Sequence, residues 1–183
     1  WKLNGQDILV PFPPQATLSG YQGTIGKTLV YEKKFILPKG LLKERFLLHF
    51  GAVDQIAEVW LNDKYLGKHE GGYLPFSFDV TGALNNSGEN YLKVVAYDDL
   101  SSDYPYGKQT KKRGGMWYTP VSGIWKNVWM ENVPNHYIRN VKLTPDKEGI
   151  KIYLNVDTDD FKVALTLHNG EVVRREFKGK EGY

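Results

Sequence analysis

The sequence predicts an all-β protein, and three observations support that fold class. Apolar and polar residues alternate with a period of two over most of the chain, while stripes at helical spacing are absent. Turn signals separate the alternating stretches at Asn62-Asp63, Gly71-Gly72 and Asn169-Gly170. Several stretches are apolar on both faces, as in strands inside a β-sandwich or at an interface. The predicted architecture is therefore a β-sandwich.

Four alternating stretches supply the main predicted strands before residue 134. The first runs from Leu29 to Leu37, the second from Phe46 to Ala52 and the third from Tyr91 to Tyr97. In the fourth, Ile124, Val128 and Met130 are expected to face one way while Trp125 and Trp129 face the other. We expect Ser122–Trp125 to begin this last strand, whose two tryptophans would seal the first domain against its neighbour.

A break at Val133-Pro134-Asn135 divides the chain into two predicted domains, residues 1–133 and 136–183. The second part supplies about four alternating strands, and Asn169-Gly170 is predicted to form a tight hairpin because both residues tolerate a positive φ. An immunoglobulin-like sandwich needs seven strands and about 100 residues. The second domain is therefore predicted to be incomplete, with an apolar face that needs a partner.

Composition excludes several classes of protein. The 183 residues are 41% hydrophobic, enough for a packed core, and the net charge of +3 is too small to indicate nucleic acid as a partner. The lack of cysteine excludes a disulfide framework, a thiolate zinc site and a cysteine nucleophile. No apolar run approaches the roughly 20 residues of a membrane helix, so no membrane partner is expected. The compartment is left undetermined.

The histidines do not have the spacing of metal ligands, so we expect no metal and no cofactor. His49 falls inside a predicted strand, where a packed or hydrogen-bonded ring is expected. The segment Gly20–Thr28 is similar to a phosphate-binding loop, but Tyr21 stands where that pattern requires glycine. A β-alternating stretch follows instead of a helix, so we predict an ordinary loop.

A basic cluster at Lys108–Arg113 lies close to Tyr104, Tyr106 and Trp117. Basic and aromatic side chains together are consistent with binding of single-stranded nucleic acid. They are equally consistent with a loop that contacts sugar hydroxyls, or with a solvated loop beside a structural aromatic. The residues alone leave these alternatives open.

Three segments together resemble a known family. They are Val10–Gly20, Phe50–Thr81 and Gly107–Glu131. They resemble the N-terminal sugar-binding domain of glycoside hydrolase family 2, the family of β-galactosidases and β-glucuronidases, over about residues 10–131. The resemblance implies a jelly-roll (galactose-binding-like) β-sandwich followed by an immunoglobulin-like β-sandwich, here truncated, and then a catalytic (β/α)₈ barrel.

The resemblance also implies the chemistry of the intact enzyme. Such enzymes are retaining glycosidases whose two catalytic glutamates lie on the barrel, and a barrel takes about 250 residues that this chain does not contain. Glu70, or Asp98 with Asp99, could be offered as an acidic pair within the chain. Adjacent strand residues point to opposite faces, so Asp98 and Asp99 cannot both face one substrate unless a bulge intervenes. We therefore expect the chain alone to be inactive, to lack catalytic residues and to shape a site carried elsewhere.

The first domain of such enzymes often lends a loop to the rim of the active site. We expect Lys108 and Gln109 to hydrogen-bond sugar hydroxyls and Tyr106 or Trp117 to stack on a sugar face. The predicted substrate is β-galactoside-like, with β-glucuronide and β-mannoside open. Gly115 stands where sodium-dependent β-galactosidases place an aspartate, which argues against a sodium site. The full set of substrate-adjacent candidates is Gln15, Tyr106, Lys108, Gln109, Arg113 and Trp117.

The expected partners are the carbohydrate substrate, met through the full-length enzyme, and the remaining domains of the same chain. A homo-oligomer is left open. Because the chain begins at Trp1 instead of Met, we expect a processed or excised piece. Two alternatives belong to other classes: a self-standing carbohydrate-binding module, and a structural β-sandwich without a ligand.

Overall fold

A computed structural model describes residues 1–41, 43–112, 114–145, 147, 149–156, 158 and 160–178. The chain forms two compact units, Trp1–Asn132 and Val133–Tyr183. Within the described residues the only helical segments are two short 3₁₀ helices, Thr17–Ser19 and Thr81–Ala83, and neither could cross a membrane. The predicted all-β fold class is confirmed.

Eleven strands belong to the first unit, the last of them reaching one residue beyond it. They are β1 (Lys2–Leu3), β2 (Gln6–Asp7), β3 (Thr28–Ile36), β4 (Arg45–Phe50), β5 (Val53–Asp54), β6 (Ile56–Leu61), β7 (Lys64–Glu70), β8 (Phe76–Asp79), β9 (Glu89–Tyr97), β10 (Gly123–Ile124) and β11 (Val128–Val133). One sheet has the order β2-β1-β3-β9-β6-β7, a second has the order β11-β4-β8, and β10 pairs with β5.

The hydrophobic core of the first unit follows the predicted alternation. In β3, Leu29 and Tyr31 are fully buried, whereas Ile36 at the end of the same strand is 71% exposed. Burial of each large apolar side chain contributes roughly 1.5–3 kcal/mol, so one face of the strand determines its orientation. The core also contains Leu3, Leu48, Phe50, Val53, Ala57, Val59, Leu61, Val80, Leu92, Val94, Ala96 and Ile124.

The Asn62-Asp63 turn joins β6 to β7 as predicted. Both residues have a positive φ, 50° and 63°, the conformation that a two-residue hairpin requires. Asparagine and aspartate accept this conformation more readily than other non-glycine residues. The Asn62 amide also donates to the carbonyl of Ala83 at 2.8 Å, which connects the turn to the second 3₁₀ helix.

The last strand, predicted to begin at Ser122–Trp125 and to carry both Trp125 and Trp129, is divided into two strands. Gly123 and Ile124 form β10, opposite Asp54 and Val53 of β5, and pairing resumes only at Val128 in β11. Gly123 has a φ of +71°, which departs from extended strand geometry. The intervening Asn127 carbonyl accepts a hydrogen bond from Gly51 N at 2.9 Å, so tertiary contacts bend the chain between the two strands.

The second unit consists of two antiparallel hairpins. The strand β12 (Ile138–Pro145) pairs with β13 (Ile150–Val156), and β14 (Asp160–Thr166) pairs with β15 (Val172–Lys178). A turn at Asn169-Gly170 joins the second pair, with a φ of +85° at Gly170. Several apolar side chains of these strands are exposed, including Ile138 and Leu143, each at 58%.

Candidate functional site

The candidate site is built on the long connection between β9 and β10, and the Gln109 side chain organises it. Gln109 Nε2 donates to Asp54 Oδ2 at 3.2 Å and to the Tyr73 hydroxyl at 3.3 Å, while its Oε1 accepts from Val121 N. Nearby, Tyr118 N donates to the carbonyl of Lys108 at 3.0 Å. A single side chain thus joins this connection to β5 and to the loop that carries Tyr73.

Gln15 makes a matching pair of contacts from the other side. Its Nε2 donates to Ser122 Oγ at 2.9 Å, and its Oε1 accepts from Ser122 N at 3.2 Å. The amides of Gln15 and Gln109 therefore converge on the consecutive residues Val121 and Ser122. Both candidates use their amide groups for contacts within the chain, so their observed geometry is that of residues that position the loop.

The other candidates differ in accessibility. Lys108 is exposed and has a φ of +61°, Trp117 is 47% exposed, and Tyr106 is half-buried. Trp117 lies between Met116 and Tyr118, which are themselves 65% and 64% exposed. The hydrogen bond between Lys108 and Tyr118 brings the lysine and this apolar segment into one loop. Arg113 lies outside the described residues.

The buried carboxylate of Asp54 is linked to the β9–β10 connection through its hydrogen bond with Gln109. Asp54 on β5 is only 2% exposed, and burial raises its pKa from the ordinary 3.8 to about 6. The hydrogen bond from Gln109 acts in the opposite direction, and the nearby charge of Asp98 raises the pKa further. A Cβ added at Gly72 would lie 2.1 Å from Asp54 Oδ1, so only glycine fits beside this carboxylate.

Asp98 and Asp99 line the same cavity, of about 430 Å³. Strand β9 ends at Tyr97, so the alternation of side chains along a strand does not extend to these two residues. Asp98 is 6% exposed and accepts from Leu100 N at 2.8 Å, whereas Asp99 lies 3.5 Å from Lys27 Nζ. Lys27 and Lys111 line this cavity too, a role that no sequence motif indicates.

His49 is packed and hydrogen-bonded, as predicted. Its ring stacks on Trp129 with centroids 5.0 Å apart, and Nδ1 lies 2.6 Å from Ser77 Oγ. Its Nε2 is 3.4 Å from a carboxylate oxygen of Glu131. Across the described ranges, no group of three or more histidine, cysteine, aspartate or glutamate side chains is arranged to hold a metal ion.

The comparisons with known proteins agree with this architecture. The family described as glycosyl hydrolase 2 galactose-binding domain-like matches residues 16–144. The chain belongs to this family. It is 30% identical over 137 residues to a β-glucuronidase of Formosa agariphila, and 29% identical over 118 residues to a β-galactosidase of Thermoanaerobacter pseudethanolicus. The matched segments cover 75% and 64% of this chain.

A solved structure shares the fold. The β-glucuronidase of an uncultured Clostridium species superimposes with a TM-score of 0.66 at 29% identity, over 85% of this chain and 28% of that one. The chain spans 14% and 15% of the lengths of the two relatives above. It therefore resembles the N-terminal domain of family 2 glycosidases, and the predicted resemblance is confirmed.

Sequence reasoning missed Asp54 as a support of the site. The sequence offered one signal: the polar pair Asp54-Gln55 directly follows the apolar pair Ala52-Val53. In the structure both polar residues are only 2% exposed. Buried polar side chains in such a position need hydrogen-bond partners. Gln55 Nε2 donates to the carbonyl of Ser101 at 3.1 Å, and Gln55 Oε1 accepts from Ser101 N at 3.2 Å.

Proposed function

We propose that this chain is the non-catalytic N-terminal portion of a retaining glycoside hydrolase that acts on β-galactoside-like substrates, with β-glucuronides and β-mannosides as the alternatives. In this proposal residues 1–133 are the jelly-roll domain and residues 136–183 begin an immunoglobulin-like domain. The family match over residues 16–144 carries the proposal. The small share of the glycosidase relatives that the chain covers supports it, because their catalytic domain has to lie in the remainder.

The residues of this chain would help to shape the active site and to position the substrate in it. Retention requires two carboxyl groups about 5.5 Å apart on either side of the scissile bond, and the proposal places both on the missing barrel. The exposed Trp117 ring offers a surface for the C–H face of a sugar, and Lys108 offers a donor for its hydroxyls. Gln15 and Gln109 would hold these residues in place through Ser122 and Val121.

Two proteins test the proposal: the 183-residue chain and the product of the complete reading frame. Aryl β-galactoside, β-glucuronide and β-mannoside are offered to both. We expect hydrolysis by the complete product only, with retention of configuration at the anomeric carbon. Cleavage by the 183-residue chain itself would overturn the proposal, as would a complete product inactive on all three substrates.

The role of the loop is tested in the complete product by Trp117→Ala. Loss of a stacking ring is expected to raise KM about tenfold, with a smaller change in kcat. Trp129→Ala is the matched control, since Trp129 is similarly exposed, at 44%, but stacks on His49 of the β11-β4-β8 sheet. Equal effects of the two substitutions would show that Trp117 has no special relation to substrate. Arg113→Ala extends the same comparison to the remaining candidate.

A further inference from the structure

An apolar cavity of about 340 Å³ lies between the six-stranded and the three-stranded sheet of the first unit. Strands β3 and β9 of the larger sheet contribute Phe35 and Leu92 to its lining, and strands β4 and β11 of the smaller sheet contribute Leu48 and Met130. Its volume falls within the roughly 300–1,000 Å³ that is usual for small-molecule sites. Apolar cavities hold apolar molecules more readily than water. The lining therefore favours a hydrocarbon group as the occupant.

Lys33 is the one charged side chain among the described residues that line this cavity. Tyr31 is fully buried and Phe35 packs against the core, so Lys33, two residues from each, stands at a core-facing position of β3. Its neighbour Lys34, on the opposite face of the strand, pairs with Glu89 at 2.9 Å. Among the described residues no carboxylate pairs with Lys33 in the same way. A cation beside an apolar lining without a counter-ion favours an anionic group at this edge of the cavity.

The charges around the cavity have the same sign as Lys33. A neighbouring cavity shares the apolar wall formed by the loop at residues 37–41. The charged side chains that line this second cavity are Lys39, Lys43 and Glu44. Together with Lys33, three lysines therefore surround the shared wall against one glutamate. This excess of positive charge favours an anion over a cation as the polar end of a bound molecule.

We propose that this cavity binds a monomeric alkyl carboxylate, with its hydrocarbon chain between the two sheets and its carboxylate beside Lys33. An amphipathic anion satisfies both features of the site, since its tail covers the apolar lining and its head supplies the missing counter-ion. The proposal is independent of the proposed function, because none of the described substrate-adjacent candidates lines this cavity. Loss of hydrolysis in the complete product and loss of carboxylate binding to this chain are separate outcomes.

Titration of the 183-residue chain with hexanoate, octanoate and decanoate, followed by amide NMR shifts, tests the proposal. We expect octanoate to shift the amides of Lys33, Leu92 and Met130 saturably. Each added methylene should tighten binding about fourfold, because it removes further apolar surface from water. Acetate, which lacks the tail, should give no saturable shift, and 1-octanol, which lacks the charge, should bind about fivefold more weakly than octanoate.

Two substitutions separate the contribution of the head from that of the tail. Lys33→Met keeps an apolar side chain of similar length but removes the charge, so it should weaken octanoate binding about fivefold and leave 1-octanol binding unchanged. Lys34→Met, on the opposite face of β3, is the matched control and should change neither affinity. Leu41→Ala shortens a side chain that is 40% exposed at the wall of the cavity, and should weaken octanoate and 1-octanol alike by about threefold.

Several results would overturn the proposal. They are the absence of saturable shifts with octanoate, shifts confined to residues outside the cavity, and binding of 1-octanol or octylamine as tight as that of octanoate. Equal losses in Lys33→Met and Lys34→Met would show that the carboxylate responds only to net charge. Shifts of the same amides on changing the protein concentration, with no ligand present, would show that a second copy of the chain occupies the cavity instead.

Discussion

Single residues in the first unit tolerate little change where the backbone approaches a buried ring. A Cβ on Gly123 would lie 2.3 Å from the Tyr31 hydroxyl, and the φ of +71° adds strain for any other residue. We expect Gly123→Ala to lower the free energy of unfolding by about 2–4 kcal/mol. Gly26→Ala is the control, because its Cβ would meet nothing within 4 Å. Denaturant unfolding followed by fluorescence measures both, and equal losses would contradict the prediction.

Asp54 should give stability a measurable pH dependence. Its folded-state pKa of about 6 exceeds the ordinary 3.8, so the folded state binds this proton more tightly than the unfolded state does. The stability that results is fully present below pH 3.8 and is lost as the pH rises through 6. In Asp54→Asn this loss is absent, so the variant should gain about 2–3 kcal/mol relative to wild type between pH 4 and 7.

Denaturant unfolding at a series of pH values measures that difference. Asp7→Asn removes a carboxylate that is 87% exposed and serves as the control for a change of net charge. A difference between Asp54→Asn and wild type that is flat or falls with pH would show that burial does not control this carboxylate.

At the level of elements, the connection between β9 and β10 depends on one glutamine. Gln109→Ala removes an acceptor for Val121 N and donors to Asp54 and Tyr73 at once. We expect amide hydrogen exchange at Val121 and Tyr118 to accelerate about tenfold or more, while amides in β3 and β9 keep their protection. Gln22→Ala, at an exposed loop position, is the matched control. Unchanged exchange at Val121 would show that other contacts hold the loop.

The elements also show which features a sequence can predict. Alternation located β3, β4 and β9 because burial of one strand face is a local, periodic pattern. The division between β10 and β11 was not predictable in this way, since it depends on Gly51 meeting Asn127. The cavity that Asp98 and Asp99 line was not predictable either, because both residues lie beyond the end of β9 at Tyr97. Contacts between distant segments leave no periodic signal.

At the level of the whole molecule, the family could be inferred from three segments, whereas the positions of its candidate side chains could not. Residues such as Gln15 and Gln109 carry the same amide whether they bind a sugar or fix a loop. Only the contacts with Ser122 and Val121 show that both amides are engaged inside the chain. Motifs that maintain a fold identify the family more readily than they identify the substrate, because substrate contacts depend on loop geometry.

The first unit should fold without the second. The main hydrophobic cluster lies wholly within Trp1–Asn132, and in the described part of the second unit Val156 is the only apolar side chain that is buried. A chain ending at Val133 should therefore melt within about 3 °C of the 183-residue chain, a shift that corresponds to a change in stability of about 1 kcal/mol. It should also bind less of a hydrophobic dye, because the exposed apolar residues of β12 and β13 are gone.

A chain ending at Ser122 is the control, since it loses Ile124 and the partly buried Val128 and Met130 of the core and should not fold. Failure of the longer truncation to fold would show that the second unit contributes to the stability of the first, against the predicted boundary at residue 133.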